Sequence, residues 1–362
     1  MLRRKEMQKK SALPTLSEVA RQAGVGTTTV SRVINGGARV SPKTLARVRG
    51  VIETLGYTPN QAARILKGDR TRTIGLIVPS IADPFFSSCA EAAQAVARAN
   101  DSLLIVVTSQ NDPHTEIEDL NILTGHRTDG LLIAPANSRN QALLDLLNRI
   151  NVPVIAIDRP VFNSPIISVV TDNFEGAKSA VRHLIAHGRK NIVCLTGETT
   201  LFTIHERIRG YRAGVESAGL PCIVDSSVQD YKSAEEAIRR LLAGANPPDA
   251  IFTLKNSSTI YAFESLQKLN VNVPETVALL GFDDFELAST VRPSISVVQQ
   301  PVEEIGRVAA ELLFDQLLGR RSIGITGRSS HARRVTLSTR LIPRASCGCP
   351  SPAIEGREDC NP

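Results

Sequence analysis

Apolar residues within positions 1–60 recur at helical spacing in three short groups, and each group is bounded by a capping residue and a glycine. This spacing predicts helices over residues 15–23, 27–34 and 42–55. Thr15 and Glu18 have the spacing of a capping box, in which each side chain accepts the other residue's backbone N–H. The three segments are expected to form a small all-α domain.

The turn between the first two predicted helices contains Gly24 and Gly26, which is typical of a helix-turn-helix. The second helix of that motif enters the DNA major groove. Arg32 is the strongest candidate for reading a base, because a guanidinium can bind guanine bidentately; a phosphate contact or a solvated charge is the alternative. The apolar face is assigned to the core, which leaves these candidates for DNA contact: Thr27, Thr28, Thr29, Ser31, Arg32 and Asn35.

Residues 57–68 predict a short helix after Pro59, with no apolar partner nearby. A helix this short is unstable alone in water, so we expect it to order only on contact. Leu66 has two interpretations, an apolar wedge that opens a minor-groove step or an ordinary linker leucine. The pattern alone favours the linker leucine.

From residue 73 onward, apolar strands alternate with helices, and the alternation occurs twice. The first copy occupies residues 73–158 and the second residues 192–283. Two βαβ halves of this kind predict two lobes, each built on a doubly wound parallel sheet. Ligands bind at the carboxyl ends of strands in such sheets, so we expect a pocket between the lobes.

Residues that directly follow the predicted strands are the candidates for lining this pocket. Phe85 and Phe86 either line the cleft or pack in the core, and the pattern does not distinguish the two. Asp158 and Asp283 each end a fourth strand, where a carboxylate can accept hydrogen bonds from ligand hydroxyl groups. Capping of the loop is the alternative for both aspartates.

The composition is that of an ordinary globular protein of 362 residues, with 42% hydrophobic and 22% charged residues. No apolar run approaches the roughly 20 residues that a membrane helix requires. The basic N-terminus lacks the apolar stretch of a signal peptide, so we expect a cytoplasmic protein. Six cysteines in so long a chain do not form a disulfide framework.

Charge is distributed unevenly along the chain. Residues 1–72 contain 15 Lys and Arg against 4 Asp and Glu, a local net charge of +11. Since the whole chain carries +6, the remaining 290 residues carry −5. This asymmetry indicates a basic module that binds a polyanion, joined to a larger module with a different role.

The chain contains none of the short motifs that mark dinucleotide-binding folds, P-loops or serine hydrolases. His183 and His187 have i, i+4 spacing, but no acid completes a metalloprotease motif, and we assign them to a solvated or partly packed face. Cys347, Cys349 and Cys360 lie in a Pro/Gly/Ser-rich segment with no histidine nearby in sequence, which favours a flexible tail over a zinc site. We expect no catalysis, no cofactor and no bound metal.

Several motifs of the chain closely resemble the LacI/GalR family of transcriptional regulators, and the resemblance covers nearly all of residues 15–343. It is carried by Thr15-Leu16-Ser17-Glu18-Val19-Ala20-Arg21-Gln22-Ala23-Gly24-Val25, Thr29-Val30-Ser31-Arg32-Val33-Ile34-Asn35, Val40-Ser41, Leu55-Gly56-Tyr57-Thr58-Pro59-Asn60, Ile74-Gly75-Leu76-Ile77-Val78-Pro79, Asp83-Pro84-Phe85-Phe86 and Gly281-Phe282-Asp283-Asp284.

The resemblance implies a small helix-turn-helix headpiece, a hinge helix and a periplasmic-binding-protein-like module of two doubly wound parallel-sheet lobes. It reverses the preference at Leu66, because the family places its minor-groove wedge there, and Ala63 joins Leu66 among the DNA-facing candidates. It also matches Arg207, Asn256 and Asp283 to effector-binding positions. With the strand-end residues, the effector-binding candidates are Phe85, Phe86, Asp158, Arg207, Asn256 and Asp283.

The chain departs from the family pattern at four positions. Gly26 replaces the usual Ser or Thr cap of the recognition helix, which weakens that cap by only a few tenths of a kcal/mol. Leu201 stands where the purine-binding branch has an arginine, which argues against a purine effector. Ser257 replaces a common aspartate, and the aromatic residue that stacks on the ligand is missing near residue 228, with Tyr231 as the nearest candidate.

We therefore predict a basic N-terminal tail (1–14), a helix-turn-helix domain (15–58), a hinge and linker (59–72), a two-lobed effector-binding and dimerisation domain (73–343) and a flexible C-terminal tail (344–362). The expected function is that of a sequence-specific transcriptional repressor whose operator affinity is controlled by a small-molecule effector bound between the two lobes. A homodimer is expected to bind a pseudopalindromic operator in double-stranded DNA. The expected effector is a sugar or sugar acid, because an arginine beside a carboxylate suits a polyhydroxylated or acidic ligand.

Overall fold

The computed structural model describes residues 14–34, 36, 39–58, 70–197, 199–320 and 334–350. The chain divides into two compact units between Thr71 and Arg72. Three of the predicted DNA-facing residues, Asn35, Ala63 and Leu66, lie outside the described ranges. In those ranges no helix combines the length and the apolar character that crossing a membrane requires.

The first unit contains the three predicted helices, α1 (Leu16–Ala23), α2 (Thr27–Ile34) and α3 (Pro42–Leu55). Apolar side chains from all three helices, together with Tyr57, form one small core. Glycines at positive φ end α1 and α3, as the sequence predicts. The helix-turn-helix geometry of the unit is therefore confirmed.

The predicted capping box at the start of α1 forms only in part. The Thr15 hydroxyl accepts the backbone N–H of Glu18 at 3.3 Å. The Glu18 carboxylate instead accepts hydrogen bonds from Arg21 and Gln22, one helical turn further along. A nearby guanidinium attracts the carboxylate more strongly than a neutral amide does, which explains the difference.

The second unit begins with a lobe of alternating strands and helices. Its elements are β1 (Thr73–Val78), α4 (Pro84–Ala99), β2 (Leu103–Thr108), α5 (Pro113–Gly125), β3 (Gly130–Ile133), α6 (Gln141–Leu147), β4 (Val154–Ile157) and β5 (Ile167–Thr171). A second lobe follows, with α7 (Asn173–Ala186), β6 (Ile192–Leu195), α8 (Phe202–Glu216), β7 (Ile223–Asp225), α9 (Tyr231–Leu242), β8 (Ala250–Thr253), α10 (Asn256–Lys268), β9 (Ala278–Phe282) and β10 (Ser296–Gln299). The unit ends with α11 (Val302–Leu317), β11 (Arg334–Leu337) and β12 (Arg340–Ile342).

The two lobes have the same strand order, which confirms the predicted duplication. The first sheet runs β11-β5-β4-β3-β1-β2 and the second β12-β10-β9-β8-β6-β7. Every pairing is parallel except that of β12, which lies antiparallel to β10 at one edge of the second sheet. The second sheet is therefore mixed, because the chain reaches β12 directly after β11 without a crossover helix.

Helices cover both faces of each sheet and bury apolar cores against them. Helices α4 and α11 pack on one face of the first sheet, and α5 and α6 on the other. In the second lobe α7 and α8 face α9 and α10 across the sheet. The packed helices thus bury both faces of each sheet and fix the positions of the carboxyl ends of its strands.

The chain passes between the lobes at three points, near residues 171–173, 299–302 and 337–340. Two hydrogen bonds tie these crossings together. The Thr171 hydroxyl donates to Gln300 Oε1 at 2.6 Å, and the backbone N–H of Thr339 donates to Asp172 Oδ1 at 2.7 Å. The crossings therefore form one hydrogen-bonded hinge region between the lobes.

The C-terminal segment differs from the flexible tail that the sequence predicts. Residues 344–350 are packed against the second lobe, and Ser346 and Cys347 are fully buried. The Ser346 hydroxyl donates to the carbonyl oxygen of Leu279 at 2.6 Å, and Arg344 forms a two-pronged ion pair with Asp284. These polar anchors outweigh the Pro/Gly-rich composition, so the prediction of a flexible tail starting at residue 344 is wrong for this segment.

Candidate effector cleft and recognition helix

A cleft of about 520 Å³ lies between the two lobes, at the carboxyl ends of their strands. Its size is that of a small-molecule pocket. All six residues predicted from the sequence line it: Phe85, Phe86, Asp158, Arg207, Asn256 and Asp283. The duplicated topology explains their convergence, since each lobe directs the same edge of its sheet toward the other.

Arg207 is held inside the cleft by three contacts that leave part of its guanidinium available. Its Nε donates to Asn173 Oδ1 at 2.7 Å, and Nη1 donates to the Leu254 carbonyl at 2.7 Å and to Asp283 Oδ2 at 3.1 Å. The guanidinium carbon also lies 3.7 Å from the centroid of the Phe282 ring. Within the described residues, Nη2 has no hydrogen-bond acceptor.

Asp283 connects the cleft to the crossings between the lobes. Gln300 donates from Nε2 to Asp283 Oδ1 at 2.5 Å, and its own Oε1 accepts from Thr171. Gln300 is almost fully buried, so this amide cannot exchange its partners for water. A ligand that displaces Asp283 would therefore disturb a hinge contact.

Asp158 occupies the equivalent position in the first lobe. Burial raises its pKa, although Arg159 and Arg207 oppose that effect. Arg159 donates from Nε to Asp158 Oδ2 at 3.1 Å and from Nη1 to Asn111 Oδ1 at 2.7 Å. Asp158 Oδ1 accepts no hydrogen bond from any described residue.

The two aspartates share an unusual backbone conformation. Asp158 has φ 62° and Asp283 has φ 72°, in the left-handed region that aspartate tolerates better than most residues. Each aspartate turns the chain sharply at the end of a strand, and both side chains line the cleft. Such strained positions concentrate at binding sites.

Sequence reasoning missed several residues of the cleft. Arg159 and Gln300 are buried polar side chains on loops, and no motif marks them. Lys255 forms an ion pair with Asp83 at 3.3 Å, which joins one lobe to the other at the cleft. Phe285 supplies a third aromatic ring beside Phe85 and Phe86.

The predicted recognition helix α2 presents a polar face outward. Thr27, Thr28 and Arg32 are exposed, whereas Val30 and Val33 are buried in the core of the headpiece. Thr29 and Ser31 lie between these faces and are half-buried. The helix therefore offers hydroxyl groups at its N-terminal end and a guanidinium one turn later.

Each of the two units matches a known family of protein domains. Residues 15–60 match the bacterial regulatory proteins of the lacI family, and residues 181–347 match the periplasmic binding protein-like domain. The HTH-type transcriptional regulator CelR of Thermobifida fusca is 34% identical over 344 residues, which cover 92% of this chain and 98% of CelR. The chain belongs to the lacI family.

Two solved structures support this assignment at the level of the fold. The CelR–cellobiose complex is 31% identical with a TM-score of 0.67, and the match covers 92% of this chain and 99% of that one. The lac repressor dimer bound to operator is 23% identical with a TM-score of 0.82, and the match covers 93% and 99% of the two chains. The chain is thus a DNA-binding transcriptional regulator with the two-lobed architecture of its family.

Two residues at which this lacI-family regulator departs from the family pattern can be located relative to the cleft. Leu201 lines the cleft and directly precedes α8. Tyr231 lies at the start of α9, where it packs on Tyr261 with ring centroids 4.3 Å apart, and it does not line the cleft. Phe285 is therefore a better candidate than Tyr231 for contact with the ring of a ligand.

Glu116 is a buried carboxyl group at the start of α5 in the first lobe. Burial raises its pKa to about 7, against the opposing effects of a hydrogen bond from the Ala136 backbone N–H and of the Arg159 charge. Its Oε2 is buried and has no partner among the described residues. The side chain is therefore protonated in the folded state at mildly acidic pH.

Replacing Glu116 with glutamine is expected to remove one pH-dependent contribution to stability. The folded state keeps a proton on Glu116 between pH 4.5 and about 7 that the unfolded state releases, so the contribution of this group to wild-type stability falls as pH rises through this window. The Glu116→Gln variant is neutral throughout and keeps the acceptor for Ala136. Its stability relative to wild type should rise by on the order of 2–3 kcal/mol from pH 4.5 to 7.5.

Urea unfolding at a series of pH values measures this difference. Glu118→Gln is the matched control, because Glu118 lies two residues away with an exposed side chain. A stability difference between Glu116→Gln and wild type that does not vary with pH would contradict the protonated state of Glu116.

Proposed function

We propose that this regulator represses transcription as a homodimer on a pseudopalindromic operator, and that a sugar or sugar acid in the cleft changes its operator affinity. The cleft binds this effector without catalysing a reaction. The protein acts in the cytoplasm, where bacterial DNA lies. Membership of the lacI family supports the regulatory role, and the chemistry of the cleft supports the class of effector.

The observation that carries the effector proposal is the set of unsatisfied polar atoms around an apolar floor. Arg207 Nη2 and Asn256 Nδ2 are donors, and Asp158 Oδ1 is an acceptor, that have no partner among the described residues. A sugar hydroxyl both donates and accepts, so it matches such a mixed set. The half-buried ring of Phe85 supplies a surface for the apolar C–H face of a sugar, and the buried ring of Phe86 packs edge-on against it with the centroids 4.9 Å apart.

The buried arginine also accommodates an acidic group. A guanidinium with a donor still available forms short, charge-assisted hydrogen bonds to a carboxylate. The solved CelR–cellobiose complex, whose chain is 31% identical to this one, supports a carbohydrate effector. Leu201 in the cleft offers no hydrogen bond to a purine base, which supports the exclusion of that class.

Thermal unfolding of the full chain with a ligand panel tests the effector class. The panel contains neutral monosaccharides and disaccharides, sugar acids, purines and purine nucleosides. A ligand present at a hundredfold excess over its Kd stabilises the protein by about 2.7 kcal/mol, which is a rise of several degrees in Tm. Stabilisation by sugars or sugar acids supports the proposal, and a response to purines alone would reject it.

On DNA, we propose that the homodimer places its two α2 helices in successive major-groove faces of the operator. Arg32→Ala is expected to reduce operator affinity by about 1–3 kcal/mol and to relax the preference at one base position. Binding to a set of operators with single-base changes measures both effects. Arg21→Ala is the control, since Arg21 pairs with Glu18 on α1 and is not a candidate for base contact. A uniform loss over all sequences would assign Arg32 to a phosphate.

Leu66 remains a prediction from the sequence, because the hinge lies outside the described residues. We propose that the two hinge segments fold only on the operator and insert Leu66 at its centre. Effector binding then shifts the dimer away from the state in which the hinges fold. Leu66→Ala is expected to weaken specific binding and to leave salt-driven, non-specific binding largely unchanged. An equal loss of both kinds of binding would rule out the wedge.

A further inference from the structure

The end of α7 and the C-terminal segment bring together four side chains that the effector cleft does not use. His183 lies in the last turn of α7 and His187 directly follows the helix, so the i, i+4 spacing places both imidazoles on one side. Their ring centroids are 4.6 Å apart. Cys347 ends a 3-10 helix (Ala345–Cys347), and Cys349 follows two residues later. These cysteines are at least 160 residues from the histidines in sequence and in contact with them in the fold.

Three sulfur-to-nitrogen distances in this cluster match those of a tetrahedral metal site. His183 Nε2 lies 3.2 Å from Cys347 Sγ and 3.5 Å from Cys349 Sγ, and His187 Nε2 lies 3.3 Å from Cys349 Sγ. Bond lengths of about 2.3 Å for Zn–S and about 2.0 Å for Zn–N place sulfur and nitrogen about 3.5 Å apart in a tetrahedron. The three ligand atoms of His183, His187 and Cys349 all lie within 4.8 Å of one another.

We propose that His183, His187, Cys347 and Cys349 form a structural Zn²⁺ site. Two thiolates and two imidazoles are a common ligand set for structural zinc. Four protein ligands leave no open position for a substrate or a catalytic water. The ion therefore fastens residues 344–350 to the end of α7, and it does not take part in a reaction.

The backbone around the cysteines is arranged for this geometry. Gly348 has φ 100°, a conformation that side chains rarely adopt, and it turns the chain so that both thiols face the histidines. Ser346, the residue before Cys347, is held in place by two hydrogen bonds. Its hydroxyl donates to the carbonyl oxygen of Leu279 and accepts the backbone N–H of Ser296 at 2.8 Å. Cys347 is thereby held fully buried, while His187 at the surface provides a route for the ion.

The site also has a structural connection to the effector cleft through α7. The helix begins at Asn173, whose side chain accepts the hydrogen bond from Arg207, and it ends at the proposed ion. A clamp at the end of α7 therefore stabilises the element that orients the central arginine of the cleft. We expect zinc to raise the stability of the protein, and the sequence-based expectation of no bound metal is replaced by this proposal.

Metal binding by the full chain tests the proposal. The protein is purified under reducing conditions, stripped with a chelator and titrated with Co²⁺ as a spectroscopic substitute and then with Zn²⁺. We expect one equivalent per chain, the visible bands of tetrahedral Co²⁺, a thiolate-to-cobalt charge-transfer band, and displacement by Zn²⁺. Added Zn²⁺ is also expected to raise the Tm of the stripped protein.

Variants at the surface of the site keep the test interpretable, because replacing the buried Cys347 could unfold the lobe. Cys349→Ser and His187→Ala should each lower the affinity for Co²⁺ by about 100-fold or more and abolish the rise in Tm. Cys222→Ser is the matched control, since Cys222 is an exposed cysteine elsewhere in the lobe, and Cys360→Ser controls for the remaining tail cysteine. Both controls should bind one equivalent with wild-type spectra.

Three results would overturn the proposal. The first is reduced wild-type protein that binds no metal. The second is one-equivalent binding that survives both Cys349→Ser and His187→Ala. The third is a Co²⁺ spectrum without thiolate charge transfer. If the reduced protein binds no metal, and Cys347 and Cys349 then form a disulfide on oxidation, the two cysteines would be assigned to redox chemistry instead.

Discussion

Replacing Arg207 with alanine is expected to abolish the response to the effector while leaving operator binding intact. Arg207 is buried in the cleft and contacts Asn173, Leu254 and Asp283, and its Nη2 is the donor left for a ligand. Hydrogen bonds to a charged group contribute about 1.5–3 kcal/mol each. Nη2 carries two N–H groups, and loss of the two hydrogen bonds that they can donate to a ligand lowers effector affinity by roughly 100-fold or more.

The substitution also leaves three acceptors without their donor, so we expect a loss of about 1–3 kcal/mol in the free energy of unfolding. The headpiece has its own core, which explains why DNA binding should persist. The measurement is operator binding by the variant over a titration with the sugar that stabilises wild type. Arg209→Ala is the control, because Arg209 lies on the exposed face of α8 and pairs with Glu206.

Wild-type sensitivity to the sugar in Arg207→Ala would contradict the assignment of this arginine to the effector. Loss of operator binding without any sugar would indicate that the substitution acts on the fold of the whole module. The two failures are distinguishable. The first appears in how operator binding changes with sugar concentration, and the second in the operator binding measured without sugar.

The second large effect is expected from Gly210→Ala, on the same helix. A Cβ atom at Gly210 would lie 2.2 Å from the carbonyl oxygen of Phe174 and 2.9 Å from the Ala177 Cβ, both on α7. Neither neighbour can rotate away, so α7 and α8 must separate. Overpacking of this kind destabilises by about 1–3 kcal/mol and occasionally more, which exceeds the gain in helix propensity of about 1 kcal/mol.

We expect Gly210→Ala to lower the Tm of the effector module by several degrees, because a net loss of about 1–2 kcal/mol shifts the Tm of a domain this large by roughly 2–4 °C per kcal/mol. It should also weaken effector binding, because the separation moves Arg207 away from its partners. Gly125→Ala is the matched control: it makes the same chemical change at the end of α5, where no described atom outside the neighbouring residues and the local helix backbone lies within 4 Å of the added Cβ. A Tm for Gly210→Ala equal to that of the control would contradict the close packing of the two helices.

Much of the fold could be predicted because its rules are local. Helix caps, glycine stops and apolar spacing depend on residues within one or two turns, and α1, α2 and α3 formed where these signals lie. The repeated strand pattern likewise determined two sheets with one strand order. The antiparallel β12 was missed, because the direction of an edge strand depends on where the previous crossing of the chain ends.

The cleft was predicted only where a motif or a strand end marks a residue. Asp158 and Asp283 follow apolar strands, so their positions could be inferred. Gln300 and Arg159 act through partners far away in sequence, Thr171 and Asn111, which no local pattern reveals. The same limit applies to the cluster of His183, His187, Cys347 and Cys349, where sequence spacing alone placed the cysteines in a flexible tail.

The most direct test of the account is selection of bound DNA from a random double-stranded library by the full chain at physiological ionic strength. The selection is repeated with the sugar that stabilises the protein. A sugar-controlled operator-binding dimer should enrich one pseudopalindromic sequence, and that enrichment should change markedly when the sugar is present. Failure to enrich any sequence over bulk DNA would contradict this function.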